Sequence, residues 1–329
     1  MKNILYLFLT LGILISCSKE EQITNIVKDT VRSRSNQADV VYFYKDKRYP
    51  LYLVEGSTEE FVEDKNLEAL NQITTGKSLA SFEFSYQPEN HHFLFDSEFE
   101  AYDYVEKNGY PRIGRKFKLA HRIDELRELL LNKYGERLDF NNPSIYAEAM
   151  QYIEKIYAEL NIANDLPKRI EDFIGIKEEN RNQRFGPLME VAVDNNMFGD
   201  ILDLETAPNT VTWTHGAWGC YRTTANPDLS QEFQTNGNNW DDCISSFCVH
   251  YVNGADGVCY ALYKDSHYAQ YACSRHKMVI REGQSIEEAC ITSLTNRVWM
   301  PFCGHMNDQI SSIRIKVAWQ GCDFYWKDL

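Results

Sequence analysis

The chain has 329 residues, and 48 acidic against 34 basic side chains leave a formal net charge of −14. That length allows two domains at roughly 100–200 residues each. The acidic excess excludes nucleic acid as a partner, because phosphate binding needs a basic footprint; it suits a solvated surface protein or a cation binder. Cysteine use divides the chain. Of nine cysteines, none lies between Cys17 and Cys220, and all six tryptophans follow residue 210. Two architectures meet near there.

Lys2 and the apolar run Ile4 to Ile15 read as a secretory signal, too short for the roughly 20 residues of a membrane span. Leu14-Ile15-Ser16-Cys17 resembles a bacterial lipobox. That resemblance implies a signal peptide over 1–16, lipid attachment with palmitate at Cys17, and an outer-membrane lipoprotein facing the cell surface or the periplasm. The following Ser18-Lys19-Glu20-Glu21 resembles the export signal of surface lipoproteins. Without Cys17 eight cysteines remain, an even number suited to an oxidised, exported domain. The polar stretch 17–38 is expected to be a flexible tether.

Residues 39–110 predict a small α+β domain. Val40 to Tyr44 and Tyr49 to Val54 flank Lys45–Arg48 as a hairpin, with Pro50 pushing the second strand to an edge. Leu67, Leu70 and Ile73 suggest a short helix, and the alternating Phe82, Phe84, Tyr86 and Phe93, Phe95 suggest two more strands. Ser97-Glu98-Phe99-Glu100 has the form of a capping box, opening a helix that Asn108-Gly109 closes. Residues 111–205 predict a helical region. Leu119, Ile123, Leu126 and Leu130 form one stripe ending at Gly135. Asn142-Pro143 starts another with Tyr146, Met150, Ile153, Tyr157 and Leu160. Asp165-Leu166-Pro167 starts a short helix to Ile174. Such stripes pack on each other. His91-His92 points to opposite faces of a strand and so does not make a metal pair. H-E-x-x-H, G-x-S-x-G and G-x-x-x-x-G-K-[ST] patterns are absent, and the chain is expected not to be an enzyme.

Residues 206–329 predict an all-β, disulfide-rich domain. Strands are expected at Thr210–Trp213, Cys220–Thr223, Val258–Tyr263, Ser311–Val317 and Phe324–Trp326, with Ile286–Cys290 helical. Cys220, Cys243, Cys248, Cys259, Cys273, Cys290, Cys303 and Cys322 read as four bridges of open connectivity. Zinc on Cys303-Gly304-His305 with Cys243 or Cys248 is the rival, but paired C-x₂₋₄-C spacing is missing.

Two hexapeptides stand out here: Asp241-Asp242-Cys243-Ile244-Ser245-Ser246 and Asn307-Asp308-Gln309-Ile310-Ser311-Ser312. Both match the [ND]-[ND]-x-x-[ST]-S signature, and the domain resembles microbial βγ-crystallins. Cys259 to Tyr268 is similar to that family's opening hairpin, and Trp218 to Leu229 is a looser counterpart for the first half. The resemblance implies a double Greek-key sandwich with Ca²⁺ bound at both loops. It assigns Asp241, Asp242 and Ser245, with the Cys243 carbonyl, to one site. Asn307, Asp308 and Ser311, with the Gln309 carbonyl, fall to the other. Calcium takes roughly six to eight oxygens, which such loops supply; Asp, Asn and Ser also form hydrogen-bonded turns unaided. The expected function is thus a lipid-anchored, calcium-binding surface module with a non-catalytic role. The alternatives are inhibition of secreted peptidases and glycan capture through Trp218, Trp240 or Trp299, with an extracellular protein or glycan as partner.

Overall fold

The structure, a computed structural model, describes residues 37–57, 60–162, 189–204, 211–214, 221–226, 228–249, 255–265, 273–281, 289–291 and 309–319. The first hairpin is β1 (Val40–Tyr44) with β2 (Lys47–Leu51), turned at Lys45 and Asp46 with φ of 46° and 63°. Asp64 caps α1 (Lys65–Thr74) by accepting from the Asn66 and Leu67 amides. β3 (Leu79–Phe84) and β4 (His91–Phe95) follow, antiparallel.

Ser97 caps α2 (Glu98–Lys107), accepting from the Glu100 amide at 3.3 Å. Glu100 reaches back to the Asp96 amide at 3.0 Å, one residue before the cap, a shifted version of the expected box. Proline opens both α3 (Pro111–Tyr134) and α4 (Pro143–Glu159), where its missing N–H costs nothing. Gly135, at φ 54°, closes α3. The stripes of α3 and α4 pack on each other as expected, Leu119, Ile123, Leu126 and Leu130 against Ala149, Ile153, Ile156 and Tyr157. The helix expected from Asp165 to Ile174 lies outside the described residues.

The remaining strands are β5 (Met189–Ala192), β6 (Ile201–Asp203), β7 (Val211–Thr214), β8 (Tyr221–Asn226), β9 (Ser246–Val249), β10 (Ala255–Tyr263), β11 (Cys273–Ile280), β12 (Ala289–Ile291) and β13 (Ser312–Trp319). They form two sheets, β2-β1-β4-β3-β11-β10-β13-β8-β7 and β12-β9-β5-β6. From Met189 onward the order repeats. β5 pairs antiparallel with β6 and β9, as β10 does with β11 and β13. A strand lying between the second and last of each set crosses over: β8 pairs with β13, and β12 with β9. β7 and β8 thus join the large sheet and β12 the smaller one.

The fold is mixed α+β, but three expectations need correcting. Met189–Ala192 and Ile201–Asp203 are strands within the stretch expected to be helical. Ahead of Trp218 to Leu229, β5 and β6 form a hairpin that also pairs with β9. Cys290 and Ala289 are in a strand, not a helix. The C-terminal strands do not stand alone either: β11 pairs in parallel with β3, His276 opposite Phe82 and Lys277 opposite Glu83. The boundaries expected at 110 and 205 therefore fall inside one continuous layer. The reason is burial on both faces. All six residues of β3 are buried, as are eight of the nine of β10. Such strands need cover above and below.

That cover comes from two sides. Ile113 and Phe117 of α3, with Ala101, Tyr102 and Val105 of α2, pack on Phe82, Phe84, Cys259, Met278 and Ala318. On the other face Met189, Val191, Leu202 and Phe247 of the smaller sheet meet Tyr42, Val258, Tyr260, Leu262, Ile313 and Ile315. Gly114 lets α2 and α3 touch: a Cβ there would sit 2.7 Å from the Tyr102 carbonyl oxygen and 2.5 Å from Glu106 Cγ.

Candidate functional site

The first hexapeptide runs into β9 and the second into β13, and both are anchored in the same way. The Ser245 amide donates to the Ala192 carbonyl at the end of β5 (2.9 Å). The Ser246 hydroxyl then donates to the Asp194 carbonyl two residues on (2.6 Å). In the second unit the Ser311 amide donates to the Tyr263 carbonyl at the end of β10 (2.9 Å). The Ser312 hydroxyl donates to the Asp265 carbonyl, again two residues on (2.6 Å). Each serine pair ties the start of its strand, β9 or β13, to the turn that leaves β5 or β10.

The two loops also meet. The Asp242 amide donates to the Ile310 carbonyl at 3.3 Å, and the Leu229 amide to that of Ser311 at 3.0 Å. Asp242 holds φ 54°, the left-handed region that Asp tolerates better than most residues. Ser245 and Ser311 are 7% and 9% exposed, while Asp242 is exposed. Asp241 Oδ1 is enclosed without a hydrogen-bond partner, which suits a ligand oxygen awaiting a cation. Lys264, next in chain to the Asp265 turn, is close enough to feel Asp265 and Asp242, although burial lowers its pKa. Among the described residues no group of three or more His, Cys, Asp or Glu is placed to hold a metal. A calcium loop would draw instead on carbonyls and hydroxyls. Of the expected ligands, Asp241, Asp242, Cys243, Ser245, Gln309 and Ser311 are described; Asn307 and Asp308 lie outside the described residues.

The cysteines depart from the expected four bridges. Cys248 is disulfide-bonded, but Cys243 and Cys259 are free. Cys259 sits in mid-β10 between Met278 and Lys316, facing the helix layer, where burial raises its thiol pKa. Its strand direction aims it at apolar helix side chains rather than at the loops. Cys243 leaves the first hexapeptide without the bridge expected to hold it. Cys290 stands opposite Cys248 in the β9–β12 register. The side chains of Cys273 and Cys290, and the whole of Cys17, Cys220, Cys303 and Cys322, lie outside the described residues. Trp240, expected as a glycan platform, is 2% exposed and packs in the core; Trp218 and Trp299 lie outside the described residues. His91 and His92 do point apart, one ring against Phe43 and the other stacked on Tyr42.

Sequence reasoning missed a buried polar network between the helices and the large sheet. Glu98, in the first turn of α2, is 3% exposed. Its Oε1 accepts from the Tyr263 hydroxyl at 2.5 Å, and its Oε2 from the Tyr102 hydroxyl at 3.0 Å and Lys316 Nζ at 3.2 Å. Lys316 also lies 3.3 Å from His121 Nδ1, and His121 Nε2 faces Glu125 at 3.3 Å. Burial pushes the Glu98 carboxyl up, but Lys316, with His276 and His121, outweighs it and holds the group well below the usual range. Burial carries His276 down to about 4. Its ring stacks on Phe82 at 4.2 Å, its Nε2 meets Ser274 Oγ at 2.9 Å, and its Nδ1 has no partner. Arg314 adds an ion pair to Glu128 at 2.7 Å.

Glu98, Lys316, Tyr102, Tyr263 and His276 are enclosed, so they fix the helices on the sheet. A shallow hollow on the outer side of α4, lined by Ser144, Glu148, Tyr152 and Lys155, bears none of them. Arg314 and Lys316 alternate with Ile313, Ile315 and Val317, which on sequence alone marks a solvent face. The available signal was Glu98 with Asp124 and Glu128, acids on helix faces that turn toward those strands.

No family model matches the chain, no curated protein matches it, and no solved structure matches it.

Proposed function

We propose that residues 189–319 form a βγ-crystallin-type pair of Greek keys whose two hexapeptide loops bind calcium, carried by an exported protein anchored through a lipid on Cys17. The reading rests chiefly on the matched serine anchoring. Amide to first-strand carbonyl, then hydroxyl to the carbonyl two residues on, occurs at both hexapeptides with equal hydroxyl distances. Two signatures 66 positions apart, counting from Asp241 to Asn307, have no reason to share that geometry unless they are one device used twice. The crossing of β8 onto β13 and of β12 onto β9 supports the same reading. So does the unpartnered Asp241 oxygen beside the contact between the loops.

In this setting calcium acts as a staple. It would bridge the two loops and so the two units, and binding only to the folded state raises stability by mass action. The role is non-catalytic, and the chain carries the module on a membrane surface through its N-terminus. Among the described residues no helix is long and apolar enough to cross a membrane.

The experiment is calcium titration of the intact chain by calorimetry, with thermal unfolding in parallel. A fragment starting near 205 would lack β3, β5 and β6 and would not test the idea. Millimolar calcium, the range of extracellular modules, should give binding heat and raise the melting temperature by several degrees. Asp241→Asn with Asp308→Asn should abolish both. An unchanged melting temperature and no heat at roughly 10 mM calcium would sink the calcium reading. Palmitate labelling lost in Cys17→Ser tests the anchor separately.

A further inference from the structure

Among the described side chains Cys248 is disulfide-bonded, while Cys243 and Cys259 are free. Cys248 follows Phe247 in β9. Phe247 packs between the two sheets with Met189 and Val191 of β5. Successive residues of a strand face opposite ways, so Cys248 faces away from the large sheet. Its neighbour across the β5 ladder, the half-buried Glu190, is on that outer side too. Cys248 is nevertheless only 5% exposed.

The register points to its partner. β12 runs antiparallel along the other edge of β9, with Ala289 opposite Val249, Cys290 opposite Cys248 and Ile291 opposite Phe247. Residues directly opposed in such a ladder share a face and stand roughly 4.5–5.5 Å apart at Cα. A disulfide spans roughly 4.4–6.8 Å between the same atoms. A slip of one residue would put the two cysteines on opposite faces. Cysteines of the large sheet fit less well, because Cys248 faces away from it. Cys273 opens β11 there, opposite Leu79, and Cys220 directly precedes β8 there.

β12 is also the strand that most needs a bond. It has three residues and ends its sheet, with β9 as its neighbour. A ladder that short opens readily by itself. The chain path widens the effect. After β9 the chain leaves the smaller sheet, supplies β10 and β11 to the large one, and returns as β12. A bond from 248 to 290 closes that excursion into a ring through both sheets, which limits the freedom of the unfolded chain.

We propose that Cys248 and Cys290 form a cross-strand disulfide that clasps β12 to β9 and closes residues 248–290 into that ring, with Cys243 left as a free thiol in the preceding hexapeptide. Forming the bond takes one proton and one electron from each thiol. They pass to a disulfide oxidant, which leaves as two thiols. The inference goes beyond the calcium reading and does not depend on it.

The test is a peptide map of the intact chain, oxidised with glutathione disulfide and kept in EDTA. Free thiols are blocked with N-ethylmaleimide in denaturant, and trypsin then cuts the unreduced chain. Cleavage after Lys and Arg leaves Cys243, Cys248 and Cys259 together on peptide 223–264 and Cys290 alone on 282–297. Cys220, Cys273, Cys303 and Cys322 each fall on a peptide of their own. The expected product is 223–264 bonded to 282–297, with maleimide located on Cys243 and Cys259 by fragmentation. Maleimide on Cys290, or Cys248 bonded to any other peptide, overturns the pairing. So does a bond to 282–297 made by Cys243 or Cys259. The clasp is read in Cys248→Ser with Cys290→Ser, which should melt several degrees lower. Hydrogen exchange of the β9 amides should quicken about tenfold. Unchanged exchange there overturns the clasp. The map needs no variant, so the pairing is decided even where the double variant fails to fold.

Discussion

The helix-covered face of the large sheet and the lobe of the smaller sheet are both rich in acidic side chains, and they treat them in opposite ways. On the covered face acids meet bases brought from other elements: Glu98 with Lys316, Asp256 with Lys116 at 3.4 Å, Glu128 with Arg314. In the lobe, segments 189–204 and 228–249 carry acids without lysine or arginine. Paired charge inside the molecule specifies how layers sit together.

The largest effect should come from breaking the buried pair. Lys316→Met strands the Glu98 carboxylate in the interior and should cost about 3–5 kcal/mol in urea unfolding. Adding Glu98→Gln should recover much of the loss, because the uncompensated charge is then gone. If the single and double variants are equally unstable, the pair matters only as packing.

Next comes pH. His276 has its folded pKa depressed to about 4 from an ordinary 6.5. Between those values the unfolded chain binds a proton that the folded chain refuses, so stability is full above pH 6.5 and falls as pH drops toward 4. The loss is on the order of 3 kcal/mol. His121 runs the other way: burial opposes its charge, but Glu125 and Glu98 raise its pKa, so its contribution is complete at low pH and fades as pH rises through the folded value. A flat melting temperature across pH 4 to 6.5 in His276→Phe, against a falling one in the parent, separates the two. Gly114→Val should then cost about 1–3 kcal/mol by forcing α2 from α3.

In the lobe the expected effects are on binding. Lys264→Met removes an ammonium that acts on Asp242 and should tighten calcium several-fold, read by calorimetry. Phe198→Ser, at an exposed side chain, should leave the urea midpoint within about 0.5 kcal/mol of the parent. A large stability loss there would mean that Phe198 is part of the fold.

Local structure was largely legible in the sequence. Ser97, Asn142-Pro143 and Gly135 mark helix ends because capping chemistry is local, and the two apolar stripes of α3 and α4 found each other. The hexapeptides were legible as a pair, and the structure brings them together through Asp242 and Ile310. Three things were not. The first unit's hairpin hid in Val191 to Leu204, where Asn196-Met197-Phe198-Gly199 shows no alternation. Cys259 looked like its neighbours in a cysteine-rich stretch, yet strand direction sets whether a thiol meets another thiol. The burial of Glu98 and Lys316 depends on which helix covers which strand, and no spacing within either segment encodes that.

The parallel contact between β3 and β11 governs the order in which the molecule can be made. The Ser85 hydroxyl bonds the Ile280 carbonyl across 195 residues. A chain emerging N-terminus first exposes β3, all six residues destined for burial, as an open hydrophobic edge until nearly the whole protein has followed. Assembly is therefore a late, long-range closure, slow by its contact order. Until β11 has been made, that edge of β3 has no partner strand.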